Sequence, residues 1–197
     1  MAVARALTLV YALIAALTVA IVASSVTAAP SGKKAPEWEI SEWINSEPLN
    51  LSDLKGKVVV IDFFQLWCPG CKSFSIPLMH HWEKVFEKEA MEGQIAFVSI
   101  HTVFEGHNFQ TPKRLRKFLK EKGIAHPVGI DRHIEGKRIP ETMRRYRTMG
   151  TPEMAIIDKH GNLRFQRFGF FEPAFGEGLI RTLLGEQTVP ERASLTQ

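Results

Sequence analysis

The two cysteines of this 197-residue chain stand three positions apart, Cys68 and Cys71 in "QLWCPGCKSF". Thiols this close can act as a staple, as part of a metal clip, or as a redox reagent. Closing so short a loop removes little chain entropy from the unfolded state, so a purely structural bridge is a weak use of the pair. Beyond it, Phe74, Leu78, Trp82, Val85 and Phe86 recur at helical spacing, which puts both cysteines at the N-terminal end of a helix. Unpaired N–H groups and the helix dipole favour a thiolate there and can lower a cysteine pKa from about 8.5 toward roughly 4–7. Cys68 is therefore the expected nucleophile. Cys71, one turn further in and on the core side, is the thiol that would attack a mixed disulfide formed on Cys68.

Asp62 lies six residues before Cys68, inside the apolar run "VVVIDFF" from Val58 to Phe64. That run reads as a buried central strand, where an unpaired carboxylate is costly and the neutral acid is favoured. A proton acceptor for Cys71 would account for it. The plain alternative is an acid whose strand position reaches solvent or a backbone donor.

Other elements must carry this site. "LNLSDLKGK" reads as a turn of helix and a turn before the strand, and Pro77 is expected to kink the helix after the cysteines. "QIAFVSIHT" is a second strand. "TPKRLRKFLKEKG" is a helix with Thr111 as N-cap, Pro112 first and Gly123 past its end. "HPVGID" fits a short strand, and "PETMRRYRTM" a helix ending at Gly150. "EMAIIDKHGNLRFQRFGF" holds two strands around a turn at His160, Gly161 and Asn162, with "AFGEGLIRTLLG" as a closing helix. This order implies an α/β fold, a mixed central sheet with helices on both faces and a C-terminal hairpin and helix.

Composition is that of one ordinary globular domain, 45% hydrophobic and 23% charged. The stretch from Ala6 to Ala23 carries no charge and is long enough for a signal-peptide core or a membrane anchor. Small residues in "SSVTAAP" favour cleavage after Ala28, and either outcome places the remainder outside the cytoplasm. The expected organisation is a signal or anchor over 1–28, a linker over 29–37, one domain over 38–185 and a disordered tail over 186–197. No cysteine follows the apolar run, so an N-terminal lipid-modified cysteine is excluded. The net charge of +4 resides mostly in two basic clusters, "PKRLRKFLKEK" and "GKRIPETMRRYR", on expected amphipathic helices. Export argues against nucleic acid as a partner and leaves acidic lipid or an acidic protein open.

"GKVVVIDFFQLWCPGCK" resembles the strand, acid and W-C-x-x-C-K core of the thioredoxin-like fold, and "MGTPEMAIIDKHGN" resembles its Thr and cis-Pro loop leading into the hairpin. With the apolar N-terminus and "LSDLKGKVVV", the chain is similar to exported TlpA-like thiol-disulfide oxidoreductases and their redoxin (AhpC/TSA-related) relatives from Trp38 to Gly185. The resemblance implies that Cys68 attacks, Cys71 resolves and Asp62 is the buried acid, with Trp67 shielding the pair. It implies that Pro152 is cis beside the disulfide and that the Thr151 backbone is offered to an extended substrate. It further implies no cofactor beyond a redox-active Cys68–Cys71 disulfide, protein thiols and disulfides outside the cytoplasm as substrates, and a membrane thiol donor.

The chain departs from the pattern at three places. Pro-Gly stands between the cysteines where thioredoxin has Gly-Pro, Pro77 falls one residue late, and Glu153 adds a carboxylate beside the proline loop that could oppose acidic substrates or raise a thiol pKa. Two rival chemistries remain. Cys68 and Cys71 with His101 or His107 would make a soft site for Cu(I). A thiol peroxidase would need Thr or Ser where Gln65 stands. His80, His81 and His126 read as helix-surface or loop residues.

Overall fold

The computed structural model describes residues 32–186; the expected signal or anchor over 1–28, the expected cleavage after Ala28 and the expected tail from 187 lie outside the described residues. Every residue of Val58–Phe64 is buried, and this strand, β3, is the centre of the fold. Burial of each of its Val, Ile and Phe side chains contributes roughly 1.5–3 kcal/mol, enough for the strand to tolerate one buried carboxyl at a cost of a few kcal/mol. It runs parallel to β4 (Ile95–His101), which is parallel to β5 (Val128–Asp131). On its other side lie β6 (Glu153–Ile157) and β7 (Asn162–Phe168), both antiparallel to their neighbours. Two strands that the sequence reading did not separate complete the sheet. β1 (Lys33–Lys34) pairs with β7, and β2 (Ile40–Ile44) with β5, giving the order β1-β7-β6-β3-β4-β5-β2. Part of the segment expected to be a linker is thus held in the sheet, and the Ala35 N–H donates to the Gly161 carbonyl at 3.0 Å.

Alternation along the strands divides the core between the two faces. Val58, Val60, Met154 and Ile156 pack with Trp82 of helix α1 (Ile76–Val85) and with Ile180 and Leu183 of the closing helix. Val59, Ile61, Phe63, Ala155 and Ile157 pack on the opposite face with Trp38, Leu51, Leu54 and Tyr146. Among the described residues the other α-helices are α2 (Glu87–Met91), α3 (Pro112–Lys122), α4 (Glu141–Tyr146) and α5, the closing helix (Pro173–Gly185), and Leu51–Leu54 forms a short 3-10 turn.

Local signals were met at α3, where the Thr111 hydroxyl accepts from the Arg114 N–H at 3.4 Å and Gly123 turns left-handed with φ 67°. The hairpin turn is closed by Asp158, whose carboxylate accepts from the His160 and Asn162 N–H groups at 2.9 and 2.8 Å. Two expectations need correction. α4 stops at Tyr146 instead of Gly150, because Arg147 takes a left-handed conformation (φ 54°) and the Thr148 N–H returns to the Met143 carbonyl. The irregularity expected at Pro77 sits just ahead of it: Cys71–Ser75 is a π-helical turn in which the Ile76 N–H bonds to the Cys71 carbonyl, five residues back. A proline ring crowds the carbonyl four residues before it, and widening the preceding turn relieves that conflict without breaking the helix.

Candidate active site

β3 delivers the chain to the cysteines at its C-terminal end, and helical geometry begins directly after Cys68. Cys68 and Cys71 are joined as a disulfide with their Cα atoms 5.3 Å apart. Cys71 is 0% exposed and Cys68 7%, so the first sulfur is the one within reach of a partner. The Cys71 N–H points at Cys68 Sγ at 3.0 Å, a main-chain donor that would stabilise a thiolate on the first cysteine.

Asp62 is fully buried, and neither carboxyl oxygen has a hydrogen-bond partner among the described residues. Burial pushes its pKa up to about 7, against a smaller opposing effect of the nearby Ser75 hydroxyl. Ser75 closes the same π turn that Cys71 opens, so the acid lies beneath the segment carrying the second cysteine. A carboxyl poised near neutrality there is suited to exchange a proton with a buried thiol. Nothing in the sequence marked Ser75, which the π turn brings near Asp62.

Trp67 is 39% exposed at the rim of the disulfide. Its indole stacks on Phe109 with ring centres 6.0 Å apart and rests on Gly106, where a Cβ would come within 2.2 Å of the ring. Its Nε1–H donates to Gln65 Oε1 at 2.6 Å. The same oxygen accepts from Gln110 Nε2 at 2.9 Å, while Gln110 Oε1 accepts from the Leu66 N–H at 3.0 Å. Two buried glutamines thus brace the indole and the loop beneath it. Gln65 was noted in the sequence as the residue in place of a peroxidase hydroxyl; nothing in the sequence marked Gln110.

The Thr151–Pro152 bond is cis, and the ring of Pro152 lies against the cysteine loop. A Cβ on Gly70 would be 2.8 Å from Pro152 Cδ, which gives the Pro-Gly order between the cysteines a steric reason. Among the described residues the main-chain N–H and C=O of Thr151 make no hydrogen bond. A cavity of about 500 Å³ runs along this rim, lined by Trp67, Cys68, Gly70, Glu105, Thr151 and Pro152 among others. Cys68, Trp67, Thr151 and Pro152 are therefore brought together, with Cys71 and Asp62 behind them.

Glu153 does not join them. It is buried, accepts from the Met149 N–H at 2.8 Å and from Gln166, and lines a separate pocket with Arg147 and Phe168. Its bond to the Met149 N–H closes the loop before Pro152. Among the described residues, no group of three or more His, Cys, Asp or Glu is placed to hold an ion. His101 is buried against Phe64, and burial holds its pKa down near 4. His107 packs on His133 with ring centres 4.7 Å apart. His126, read as a surface or loop residue, is buried between Ser99 Oγ and Glu83 Oε1, each 2.7 Å from a ring nitrogen.

Residues 31–166 match the AhpC/TSA family. The chain is 43% identical to a thioredoxin-like superfamily protein of known crystal structure, with a TM-score of 0.75 over 80% of this chain and 99% of the other. It is 38% identical to a thiol-disulfide isomerase from Corynebacterium glutamicum, TM-score 0.72, over 78% and 98% of the two chains. The thiol-disulfide oxidoreductase ResA of Bacillus thuringiensis is 26% identical over 70% of this chain and 69% of its own length. Protein DipZ of Mycobacterium bovis is 29% identical over 75% of this chain, which spans only 20% of that larger protein.

Proposed function

The chain belongs to the AhpC/TSA family, in a thioredoxin-like form, and from this premise we propose that it is a thiol-disulfide oxidoreductase acting on proteins outside the cytoplasm, as a reductant. The observation that carries the reading is the Cys68–Cys71 disulfide set between the unpaired Thr151 main chain and the buried Asp62. An extended substrate strand lies along Thr151, which presents its disulfide to Cys68. The Cys68 thiolate attacks one substrate sulfur, the S–S bond breaks, and the other substrate sulfur leaves as a thiolate. Cys71 then passes its proton to Asp62 and attacks Cys68 Sγ, which expels the second substrate thiolate and leaves the Cys68–Cys71 disulfide. Two electrons have passed to the substrate, and a membrane thiol donor restores the dithiol. Export rests on the uncharged stretch from Ala6 to Ala23.

The test is capture. Cys71→Ser, expressed with its own leader, retains attack and loses resolution, so exported proteins accumulate as mixed disulfides on Cys68 that dithiothreitol releases. Absence of such adducts, with the variant folded and exported, would remove the reading.

A further inference from the structure

β4 is paired along its whole length with β3 but with β5 only from Ser99 to His101, so among the described residues Ile95–Val98 has no strand on its second side. Which groups face that side follows from two hydrogen bonds. The Val58 N–H donates to the Gln94 carbonyl, and the Ser99 N–H donates to the Pro127 carbonyl. The N–H and C=O groups of Ile95 and Phe97 therefore point away from β3, as those of Ser99 do, and meet no main-chain partner among the described residues. The ladder ends for a stereochemical reason. The next donor owed to Phe97 would come from residue 127, a proline without an N–H. The preceding chain is drawn aside by Asn45, whose side-chain amide donates to the Ile124 and His126 carbonyls at 3.0 and 3.1 Å.

The open half-edge faces a cavity of about 630 Å³, within the range of ligand sites. Its walls are apolar, with Leu49, Ala90 and Met91 opposite the strand, and Glu47, Glu83 and Glu87 also line it, with no Lys or Arg. Glu83 is tied to His126, while Glu47 and Glu87 are exposed and unpaired among the described residues. An unpaired strand edge is a template for another strand. Four residues of strand span about 13 Å, room for a short segment that pairs with Ile95 and Phe97 and sets apolar side chains against the walls. The carboxylates favour an occupant with positive charge.

We propose that this half-edge is a docking slot for an extended peptide segment of a partner protein, apolar at its centre and flanked by basic residues. The slot opens at the start of β4, whereas the cysteines follow the end of the parallel β3, so docking and thiol exchange occupy opposite ends of the sheet. This site stands independently of the redox assignment.

The probe is the peptide acetyl-Lys-Val-Ile-Val-Lys-amide, titrated into the oxidised full chain and followed by amide NMR. Saturable shifts centred on Ile95 and Phe97, with at least tenfold slower hydrogen exchange at both amides, are expected. Replacing the central Ile of the peptide with Pro, or both Lys with Glu, should weaken binding at least tenfold, and so should the surface variant Glu47→Lys/Glu87→Lys. Reduction of Cys68–Cys71 by dithiothreitol should be unchanged throughout. No saturable shift at millimolar peptide, or equal affinity for the proline peptide, overturns the proposal.

Discussion

The backbone of Gly70 lies so close to the ring of Pro152 that a single added carbon would stand 2.8 Å from Cδ. Gly70 has helical dihedrals, φ −61° and ψ −37°, so alanine there would gain about 0.5–1 kcal/mol from chain entropy. Forcing a methyl group into a closed contact costs about 1–3 kcal/mol, and the clash wins. Gly70→Ala should lose roughly 1 kcal/mol or more in urea unfolding of the oxidised form. It should also slow reaction with protein disulfides more than with small dithiols, because it parts the cysteine loop from the Thr151–Pro152 loop proposed to receive substrate. Unchanged stability would mean that the two loops are not in firm contact.

Asp62 makes a prediction about pH. The unfolded chain holds this proton only below about 3.8, and the folded protein holds it up to about 7. Folding thus takes up a proton between these values. The stability is complete below 3.8 and is lost as pH rises through 7, by about 4 kcal/mol for a fully buried group. Asp62→Asn should flatten this slope and be the more stable protein at pH 8. In exchange with a protein disulfide, the variant should form the mixed disulfide at the normal rate and resolve it about a hundredfold more slowly, without an inflection near pH 7. A parallel pH slope in variant and wild type, or equal resolution rates, would leave Asp62 without the proton role.

Gln110 braces Trp67 at second hand. Its loss in Gln110→Ala leaves the buried Leu66 N–H without an acceptor, a cost of about 1–3 kcal/mol, and removes one of two donors on Gln65 Oε1. The indole should then leave its seat on Gly106 and Phe109, seen as a red shift in the emission lost on Trp67→Phe. Protein substrates should react more slowly while dithiothreitol reduces the pair as before. Emission and protein kinetics identical to wild type would show that the glutamine pair does not hold the rim.

How much of this was legible in the sequence depended on the range of the interaction. β3, α3 and the hairpin were readable because apolar runs, an N-cap threonine and a glycine turn act within a few residues. The grouping of Cys68, Cys71, Asp62, Trp67, Thr151 and Pro152 in one place was readable because two motifs carry these residues. Lys33–Lys34 and Ile40–Ile44 were not, since short edge strands are defined by distant partners, Leu163 and Asn162 for one, Val128 to Asp131 for the other. Gln110 meets Gln65 across 45 residues and has no local mark. Adjacency to Pro152 did not show where Glu153 is held: the first residue of β6 turns to Met149 and Gln166. Pro77 marked an irregular helix correctly, but the backbone adjusts in the turn before the ring.

The two thiols differ in exposure and in surroundings. In the oxidised protein the Cys71 N–H points at Cys68 Sγ at 3.0 Å, and Cys71 itself is wholly enclosed. On reduction that donor, with the other free N–H groups at the start of the helix, favours the thiolate of Cys68, while burial beside a carboxyl disfavours the thiolate of Cys71. Iodoacetamide at pH 6.5 should therefore modify Cys68 at least tenfold faster than Cys71, with a midpoint below the ordinary 8.5 of a free thiol. In Cys68→Ser the remaining thiol should stay nearly unreactive in native buffer and become fully reactive in urea, which distinguishes enclosure from loss of folding. Asp62→Asn should alter the pH dependence of Cys71 and leave that of Cys68 close to wild type, since the carboxyl lies under the turn of the second cysteine. Faster labelling of Cys71, or equal labelling of the two, would reverse the assignment of nucleophile and resolving thiol.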